Sequence, residues 1–196
     1  MPAMRETVDL SHASRLVNHG PTVLVSARHE GRRTVMAAAW SMPVEFTPPR
    51  IAIVLDKSTT TRELALASGE LALSIPCKAS ADVAYTAGSV HGAGIDKFDA
   101  YGIEAFDGPV LGLPLVAGCI AWLECRLIRE PRSEDAYDTF FVEVVSAQSD
   151  PRVFTHGRWS FREDNTELHT LHHLGAGLFA VPSLTVQART LDRREP

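Results

Sequence analysis

The 196-residue sequence has no apolar run that approaches the ~20 residues needed to cross a bilayer as a helix. Its first ten residues contain Arg5 and two acids but no apolar stretch, which is unlike a secretory signal peptide. An excess of positive charge is also missing, because the formal net charge is −5. Broad nucleic-acid surfaces are built from Lys and Arg. We therefore expect a soluble, cytoplasmic protein that binds neither membrane nor nucleic acid.

Cysteine is scarce, and its number is odd. Only Cys77, Cys119 and Cys125 are present, which fits a reducing compartment. Cys119 and Cys125 fall on one predicted strand, where six residues span ~20 Å at ~3.3 Å each, so they would not bridge. We expect three buried thiols that pack as small apolar side chains.

The sequence lacks the signatures of hydrolytic and metal-dependent enzymes. It has no Gly-x-Ser-x-Gly elbow, and no pattern places a Ser or Cys beside a His. His169 with His172 or His173 has the spacing of helical metal ligands, but no Glu follows His169 as in a zincin, and two glycines soon break any helix. The paired acids Glu134–Asp135 fall in a predicted solvated turn. We therefore predict no metal site and no catalytic side chain.

The sequence does contain many short strands separated by Gly and Pro. With 45% apolar and 22% charged residues, the chain is expected to form one domain over 1–196, with its core at about 21–182 and both ends peripheral. We found no β–α alternation, so the pattern predicts a mainly β fold with short helices, arranged as a closed barrel. The predicted strands are 22–27, 34–41, 50–55, 70–75, 119–129 and 139–147. The predicted helices are 61–67, which ends before Gly69 as a C-cap, and 80–87, which has Ser80 as its N-cap.

A cluster of hydroxyl side chains precedes the first predicted helix. It comprises Ser58, Thr59, Thr60 and Thr61, and Arg62 follows it with a fixed charge. A helix N-terminus presents free N–H groups and about half a positive charge, which suits phosphate. The alternative is that Thr60 only caps the helix, because Glu63 follows it at the spacing of a capping box.

Two other segments favour a flat, phosphorylated ligand, for which FMN is the best candidate. Small side chains on the strand from Met36 through Ala37, Ala38 and Ala39 to Trp40 would let a ring lie close to the backbone. Later, a glycine-rich loop, 92–94, precedes Lys97, which would supply a second charge to a phosphate. The alternative for Lys97 is a solvated side chain on a loop.

These segments occur in an order that resembles the flavin reductase-like, FMN-binding split-barrel family, and most closely its flavoredoxin branch. The resemblance covers roughly residues 21–182. Each motif is a weak signal alone, but eight of them in the same order are a strong one. The motifs are Thr34-Val-Met-Ala-Ala-Ala-Trp40, Val44-Glu-Phe-x-Pro-Pro49, Thr61-Arg-Glu-Leu64, Ser74-Ile-Pro76, Asp96-Lys-Phe98, Leu123-Glu-Cys125, Phe140-Phe-Val-Glu-Val-Val145 and Leu171-His-His-x-Gly-x-Gly-x-Phe179.

The resemblance implies an FMN-binding split β-barrel that forms a homodimer, with FMN near the subunit interface. It implies an oxidoreductase of the flavin reductase class, with NADH or NADPH as co-substrate and another flavin, a metal chelate, oxygen or a redox partner protein as acceptor. Relatives often carry Asn where this chain has Thr34. The implied cofactor-binding residues are Thr34, Met36, Ala37, Ala38, Ala39, Trp40, Ser58, Thr59, Thr60, Thr61, Lys97, His172, His173 and Phe179.

Three other functions remain open at this point. The protein would be a flavoredoxin-like electron carrier if FMN binds tightly but NAD(P)H does not reduce it. It would be a split-barrel binding module for another cofactor, such as haem or a deazaflavin, if His172 or His173 served as a ligand. Lastly, the fold would serve a protein-interaction role if its pocket stays empty.

Overall fold

A computed structural model describes residues 4–92 and 94–191; Ala93 of the glycine-rich loop and most of the charged C-terminal end therefore lie outside the described residues. Four α-helices and fourteen strands are present in the described part of the chain, with 3₁₀ segments at Leu10–Leu16, Lys78–Ser80 and Glu163–Leu168. The helices are α1 (Thr60–Ser68), α2 (Ala81–Ser89), α3 (Lys97–Tyr101) and α4 (Pro131–Tyr137). The strands are β1 (Glu6–Thr7), β2 (Val23–His29), β3 (Arg32–Ala38), β4 (Ser41–Phe46), β5 (Pro49–Val54), β6 (Glu70–Ile75), β7 (Ala105–Asp107), β8 (Pro114–Val116), β9 (Ala121–Ile128), β10 (Thr139–Ser149), β11 (Phe154–Thr155), β12 (Arg158–Trp159), β13 (His172–Gly175) and β14 (Leu178–Ala180).

One large antiparallel sheet organises the molecule. Its strands follow the order β3-β2-β6-β9-β10-β5-β4, and β1 pairs separately with β10. The two edge strands, β3 and β4, are consecutive in the chain, with only Ala39 and Trp40 between them. Strands separated by two residues cannot lie at opposite ends of a flat sheet, so the sheet curls until its edges meet at this connection.

The mainly β, split-barrel prediction is confirmed, whereas the closed barrel is wrong. Within the described residues, no ladder joins β3 to β4. Near the connection, the Val54 N–H donates to the Trp40 carbonyl over 3.1 Å, which extends the β4–β5 pairing and does not bridge the gap to β3. The predicted strand 34–41 is therefore divided, because the chain leaves one edge at Ala38 and begins the other at Ser41.

Alternating side chains fill two cores on opposite faces of the sheet. On β2, Val23 and Val25 belong to the inner core, while Leu24 packs on the outer face. The outer core is centred on Trp122, whose indole N–H donates to the Val116 carbonyl over 2.8 Å. Phe98 of α3 packs in the same outer cluster, so α3 and the β7–β8 ladder cover that face.

Local signals set the bounds of the helices. Helix α1 is capped by Thr59, whose side chain accepts from the Arg62 N–H, so the capping role predicted for Thr60 is wrong by one residue. It ends at Gly69, which has a left-handed φ of 74° as the sequence predicts. The second predicted helix is α2, displaced by one or two residues. The hydroxyl of Ser80, its predicted cap, instead accepts from the Cys77 N–H over 3.0 Å.

The predicted turn between β9 and β10 contains a helix, α4. Its Glu134 is 2% exposed, so the prediction of a solvated face is wrong for Glu134, whereas Asp135 is exposed as predicted. The Glu134 carboxylate accepts from the Arg129 guanidinium at 3.0 Å and from the Glu130 N–H at 2.8 Å. Burial opposes ionisation of Glu134, but these hydrogen bonds outweigh it and lower the pKa. Both partners of the Glu134 carboxylate lie within five residues of it in the chain, so these contacts are local.

All three cysteines are free and buried, as predicted. Burial raises the pKa of each thiol, which keeps the thiols protonated near neutral pH. Among the helices of the described segments, none is both long and apolar enough to cross a membrane.

Candidate functional site

A cavity of about 700 Å³ opens where the two edges of the sheet meet. Its volume lies within the range of small-molecule pockets, ~300–1,000 Å³. The walls come from the β3–β4 connection, the end of β5, α2, the end of α4 and the β13–β14 hairpin. The lining residues are Thr22, Met36, Ala37, Ala38, Ala39, Trp40, Val54, Asp56, Ala84, Tyr85, Gly88, Ser89, Tyr137, Asp138, His173, Ala176, Gly177 and Phe179.

One wall of the cavity is an unpaired backbone edge. Strand β3 pairs with β2 on one side and with no other strand of the described residues. In an antiparallel ladder, alternate backbone groups point away from the partner strand. Those groups on the Met36–Ala38 stretch therefore face the cavity side of the edge. Alanine side chains leave them accessible, so a flat ligand would meet backbone N–H and C=O groups here.

Small residues also line the opposite walls. A Cβ added at Gly88 of α2 would lie 3.0 Å from the Ala37 Cβ, and one at Gly177 would lie 3.0 Å from the Tyr85 ring. Gly177 also has a φ of 78°, which side-chain-bearing residues rarely adopt. Gly88 therefore lets α2 lie close to the strand edge at Ala37, and Gly177 lets the β13–β14 hairpin lie close to Tyr85 of α2.

Aromatic rings surround the cavity. Trp40, expected in the core if it were an ordinary strand residue, is instead 74% exposed and lines the cavity. Tyr137 and Tyr85 are also exposed. His173 pairs with Phe179 across the hairpin, with ring centroids 5.6 Å apart. The cavity thus combines a small-residue wall with several rings that could contact a planar ligand.

Thr22 places an unsatisfied hydroxyl at the cavity. Its residue is 3% exposed, and its Oγ1 has no hydrogen-bond partner among the described residues. A buried hydroxyl without a partner is unfavourable by ~1–3 kcal/mol. A ligand with a donor or acceptor at this point would remove that cost.

The far side of the cavity is acidic. Asp56 and Asp138 line it, and within the described residues no Lys or Arg does so. Arg62, expected to add positive charge for a phosphate, instead pairs with the Asp138 carboxylate and donates to the Glu134 carbonyl over 2.8 Å. That expectation is therefore wrong: the Arg62 side chain is buried and holds α1 against α4.

Seven of the fourteen sequence-predicted cofactor residues line this cavity. The structure brings the strand segment and the late hairpin together although more than 130 residues separate them in the chain. The seven are Met36, Ala37, Ala38, Ala39, Trp40, His173 and Phe179.

The other seven predicted residues do not line the cavity. The hydroxyl cluster lies just beyond it: Asp56, which lines it, accepts from the Ser58 N–H at 2.8 Å and the Ser58 hydroxyl at 2.6 Å. Thr34 is buried beneath the glycine-rich loop, since a Cβ at Gly92 would lie 3.3 Å from its Oγ1. The seven are Thr34, Ser58, Thr59, Thr60, Thr61, Lys97 and His172.

Lys97 is buried instead of solvated. Only 4% of the residue is exposed, and its ammonium donates to the Ala87 carbonyl over 2.8 Å. Burial lowers the pKa of Lys97. Ala87 directly precedes Gly88 and Ser89, which line the cavity. Lys97 therefore lies behind this wall as a buried cation. One N–H of its ammonium bonds to the Ala87 carbonyl, and two further N–H donors remain.

His172 faces away from the cavity into an aromatic cluster. Its ring lies 5.5 Å from that of His19, and both Nε2 atoms approach the Thr170 hydroxyl, at 3.3 and 3.0 Å. His19 also packs against Trp159 at 5.2 Å. Neighbouring residues on a strand point to opposite faces, which explains why His173 reaches the cavity and His172 does not.

His169 has a structural role. Its Nδ1 lies 2.5 Å from the Pro182 carbonyl, and its Nε2 lies 2.9 Å from the Asn165 side-chain oxygen. No group of three or more metal-ligating side chains occurs in the described segments. His169 precedes β13 rather than lying on a helix, so the i, i+4 spacing does not bring the three imidazoles onto one face.

Sequence reasoning missed several lining residues. Thr22 directly precedes β2, Tyr85 lies on α2 and Tyr137 is the last residue of α4; none belongs to a motif that points to a ligand. Tyr137 was missed for a further reason: the sequence pattern predicts a turn where the structure has α4, so the position of Tyr137 at the end of a helix was not expected. Only the spatial closeness of the elements makes these residues part of the site.

Comparison with known proteins identifies the family. Residues 15–163 match the model of the flavin reductase like domain family. The chain is 54% identical over 184 residues, or 92% of its length and 96% of the relative's, to the uncharacterized protein YddH of Escherichia coli (strain K12). The resemblance inferred from the sequence motifs is therefore confirmed.

Two solved structures share the fold. An FMN-binding domain of a flavin reductases-like enzyme from Shewanella baltica OS155 matches with a TM-score of 0.93 and 40% identity, over 96% of this chain and 100% of that one. The flavoredoxin of Desulfovibrio vulgaris (Miyazaki F) matches with a TM-score of 0.73 and 23% identity, over 86% and 90% of the two chains. The second similarity concerns the fold alone.

The histidine cluster predicts a loss of stability in mild acid. Burial, followed by the nearby His172, lowers the pKa of His19 from 6.5 to about 4. The unfolded chain binds this proton more readily, so the contribution of neutral His19 is complete above pH ~6.5 and is lost as the pH falls towards 4. We expect the free energy of unfolding to fall by about 3 kcal/mol across that window. Urea titrations at several pH values measure it.

His19→Gln is the matched variant, because it removes the titrating group and keeps a polar side chain. Its free energy of unfolding is expected to depend less steeply on pH between 6.5 and 4. Equal slopes for the two proteins would contradict the assignment to His19.

Proposed function

Because the chain belongs to the flavin reductase like domain family, we propose that it binds FMN in the cavity between its two sheet edges and acts as an NAD(P)H-dependent oxidoreductase. The observation that carries the proposal is the free edge of β3, lined by consecutive alanines and facing an aromatic-lined cavity. The similar Shewanella baltica protein, at 40% identity, is described as FMN-binding.

The described residues fit the flavin ring. The ring needs a flat, mostly apolar slot with hydrogen-bonding groups along one edge. Ala37, Ala38 and Ala39 supply the slot and the backbone edge, while the unsatisfied Thr22 hydroxyl supplies one further polar contact. Phe179 and His173 would pack on the ring from the late hairpin.

Two groups are candidates for the FMN phosphate. The first is the start of α1, where Thr60 and Thr61 add hydroxyls to the free N–H groups of the helix. The second is the Lys97 ammonium, a buried cation whose spare donors would be satisfied by an anion. No hydrogen bond joins the two groups within the described chain, so they form separable candidates.

The role of the protein in catalysis is to bind and orient. Bound FMN would supply the redox chemistry, accepting a hydride from a nicotinamide and passing electrons to an acceptor. Backbone N–H groups of the β3 edge would stabilise negative charge on the ring. The open side near Trp40 and Tyr137 leaves room for a nicotinamide to stack. No side chain is assigned a proton-transfer role.

A flavoredoxin-like electron carrier is the second candidate. The lining residues within the described segments include no Lys or Arg, so no cationic side chain on the wall would hold the phosphates of a nicotinamide nucleotide. A carrier would bind FMN in the same cavity and exchange electrons with a redox partner protein.

We also propose a homodimer with FMN near the interface, which the exposed apolar side chains of β4 support.

The visible absorbance spectrum of the purified protein tests the function. A yellow protein whose flavin bands bleach quickly when NADH or NADPH is added without oxygen is expected. A yellow protein that stays oxidised would support the carrier instead. A Soret band would point to haem, and a colourless protein that fails to take up added FMN would overturn the flavin assignment.

Thr22→Val tests the contact to the ring. The variant keeps the shape of the side chain and removes its unsatisfied hydroxyl. We expect the free energy of unfolding of the FMN-free protein to rise by about 1 kcal/mol and the Kd for FMN to rise by about 5–10-fold. Urea unfolding and flavin fluorescence titration measure the two quantities.

Thr155→Val is the control, because Thr155 is exposed on β11 and does not line the cavity. It should change neither quantity. If Thr22→Val leaves FMN affinity unchanged, the Thr22 hydroxyl does not contact the cofactor.

Lys97→Met tests the phosphate assignment. Methionine keeps the buried aliphatic stem and removes the charge. If Lys97 contacts the phosphate, FMN affinity should fall by about 10–100-fold, as expected for a charge-assisted hydrogen bond. Riboflavin has no phosphate, and its affinity should not change. Calorimetric titration with FMN and with riboflavin gives the two affinities and hence the FMN-to-riboflavin ratio.

Lys78→Met is the control for this series, because Lys78 is an exposed lysine paired with Glu167. Thr61→Val reports on the other candidate at the start of α1. A lowered FMN-to-riboflavin ratio in Thr61→Val alone would place the phosphate at the helix and refute the role of Lys97.

A further inference from the structure

Two chain segments meet beside the cavity in what we term the histidine seam. It consists of residues 19–22, which lead into β2, and residues 170–173, which enter β13. The Thr22 N–H donates to the Leu171 carbonyl over 2.7 Å. Thr22 and His173 both line the cavity. The seam therefore sets how closely two walls of the cavity approach each other.

The seam also positions the late hairpin. Among the described strands, β13 and β14 pair with each other and with no third strand. Away from the seam, the hairpin is held by side-chain packing, with Gly177 against Tyr85 and Phe179 on the outer core. A change at the seam therefore moves this wall of the cavity without breaking the main sheet.

The Thr170 hydroxyl lies between two imidazoles of the seam. Its Oγ1 is 3.0 Å from Nε2 of His19 and 3.3 Å from Nε2 of His172. With both rings neutral, the hydroxyl donates to one Nε2 and accepts from the other. The His19 Nδ1 is buried and has no partner among the described residues. Protonation of His19 would therefore bury an N–H without an acceptor, next to a second imidazole 5.5 Å away.

The elements packed around His19 carry mainly basic groups. The titratable and charged residues on them are His172, His169, Arg15, Arg158 and Arg162, with exposed Glu163 and Asp164 on the segment that follows β12. Asp164 pairs with Arg162 over 2.9 Å. Burial, followed by His172, lowers the pKa of His19 to about 4, and burial also lowers the pKa of His172. The closed seam therefore favours neutral imidazoles.

We propose that His19 is a positioning residue that couples ligand binding in the cavity to the pH through the histidine seam. The inference rests on the proposed function, because flavin is taken as the ligand. With His19 neutral, the seam is closed and presents Thr22 and His173 to one ligand. In mild acid the seam opens, His19 reaches water and takes up a proton, and the hairpin wall moves away. The affinity for flavin then falls.

Linkage gives the sign and the size of this effect. The pKa of His19 is about 4 in the closed seam and returns towards 6.5 when the seam opens. The open form therefore binds the proton more readily, and the closed fraction falls as the pH drops from 6.5 towards 4. At pH 5 the equilibrium is shifted by about 20-fold. One neutral hydrogen bond contributes a factor of about 2–10 to such an equilibrium, so the proton can offset the bonds of the seam.

Riboflavin titrations at pH 7, 6 and 5 test the coupling. Riboflavin lacks the phosphate of FMN, so its charge stays constant over this range. We expect its Kd to rise by about 3–10-fold from pH 7 to pH 5 in the natural protein, and by less than about 2-fold in His19→Gln. Far-UV circular dichroism at each pH confirms that both proteins stay folded.

His12→Gln is the matched control, because His12 lies on the Leu10–Leu16 segment and does not line the cavity. It should keep the full pH dependence of the natural protein. The other titratable groups of the cavity, including His173, are common to all three proteins. Equal pH dependence in the natural protein and His19→Gln would overturn the proposal.

Hydrogen exchange of the flavin-free protein separates this inference from the proposed function. At one pH the intrinsic exchange rate is the same for the natural protein and His19→Gln. At pH 5 the hairpin amides, 172–180, should be about 10-fold less protected in the natural protein, while those of β9 should be alike. Equal hairpin protection would refute the seam. Reduced protection without riboflavin binding at any pH would refute the proposed function and leave the seam as a pH-sensitive contact.

Discussion

The two-residue connection between β3 and β4 is the constraint on which the rest of the structure depends. Because the strands at the two edges of the sheet are neighbours in the chain, the sheet must curl through almost a full turn. The connection is too short to let the edges pair along their length, so backbone groups of β3 stay unpaired. The cavity forms at this opening, and α2, α4 and the late hairpin close around it. Fold and candidate site therefore share one cause.

Buried charges hold the walls of the opening in place. Arg62 joins α1 to α4 through Asp138 and the Glu134 carbonyl, and thereby fixes Tyr137 at the mouth. On the outer face, the buried Glu124 carboxylate accepts from the backbone N–H groups of Val110 and Leu111, at 2.9 and 2.7 Å. Breaking one partner of such a buried arrangement is costly, because the remaining charge stays out of water. The Arg62 contacts therefore hold α1 against α4 beside the cavity, and the Glu124 contacts hold the segment 110–111 against β9.

Most of the fold could be predicted from the sequence because its signals are local. Period-2 patterns located the main strands, and Gly69 marked the end of α1. Motif order identified the family, and about half of the candidate site followed from it. The rest depends on long-range contacts. Arg62 has the same local pattern whether it faces a phosphate or Asp138, and Lys97 looks identical on a loop or buried behind α2. Thr22 and Tyr85 carry no local signal, because only the curl of the sheet brings them to the cavity.

The alanine-lined edge of β3 also bears on how such a protein changes over evolution. Where recognition relies on main-chain groups, the chemical identity of the side chains matters little, and their bulk becomes the selected property. Substitutions among small residues would be nearly neutral at Ala37, Ala38 and Ala39, whereas any larger side chain would close the slot. At such a wall, the volume of the side chain is therefore constrained more tightly than its polarity.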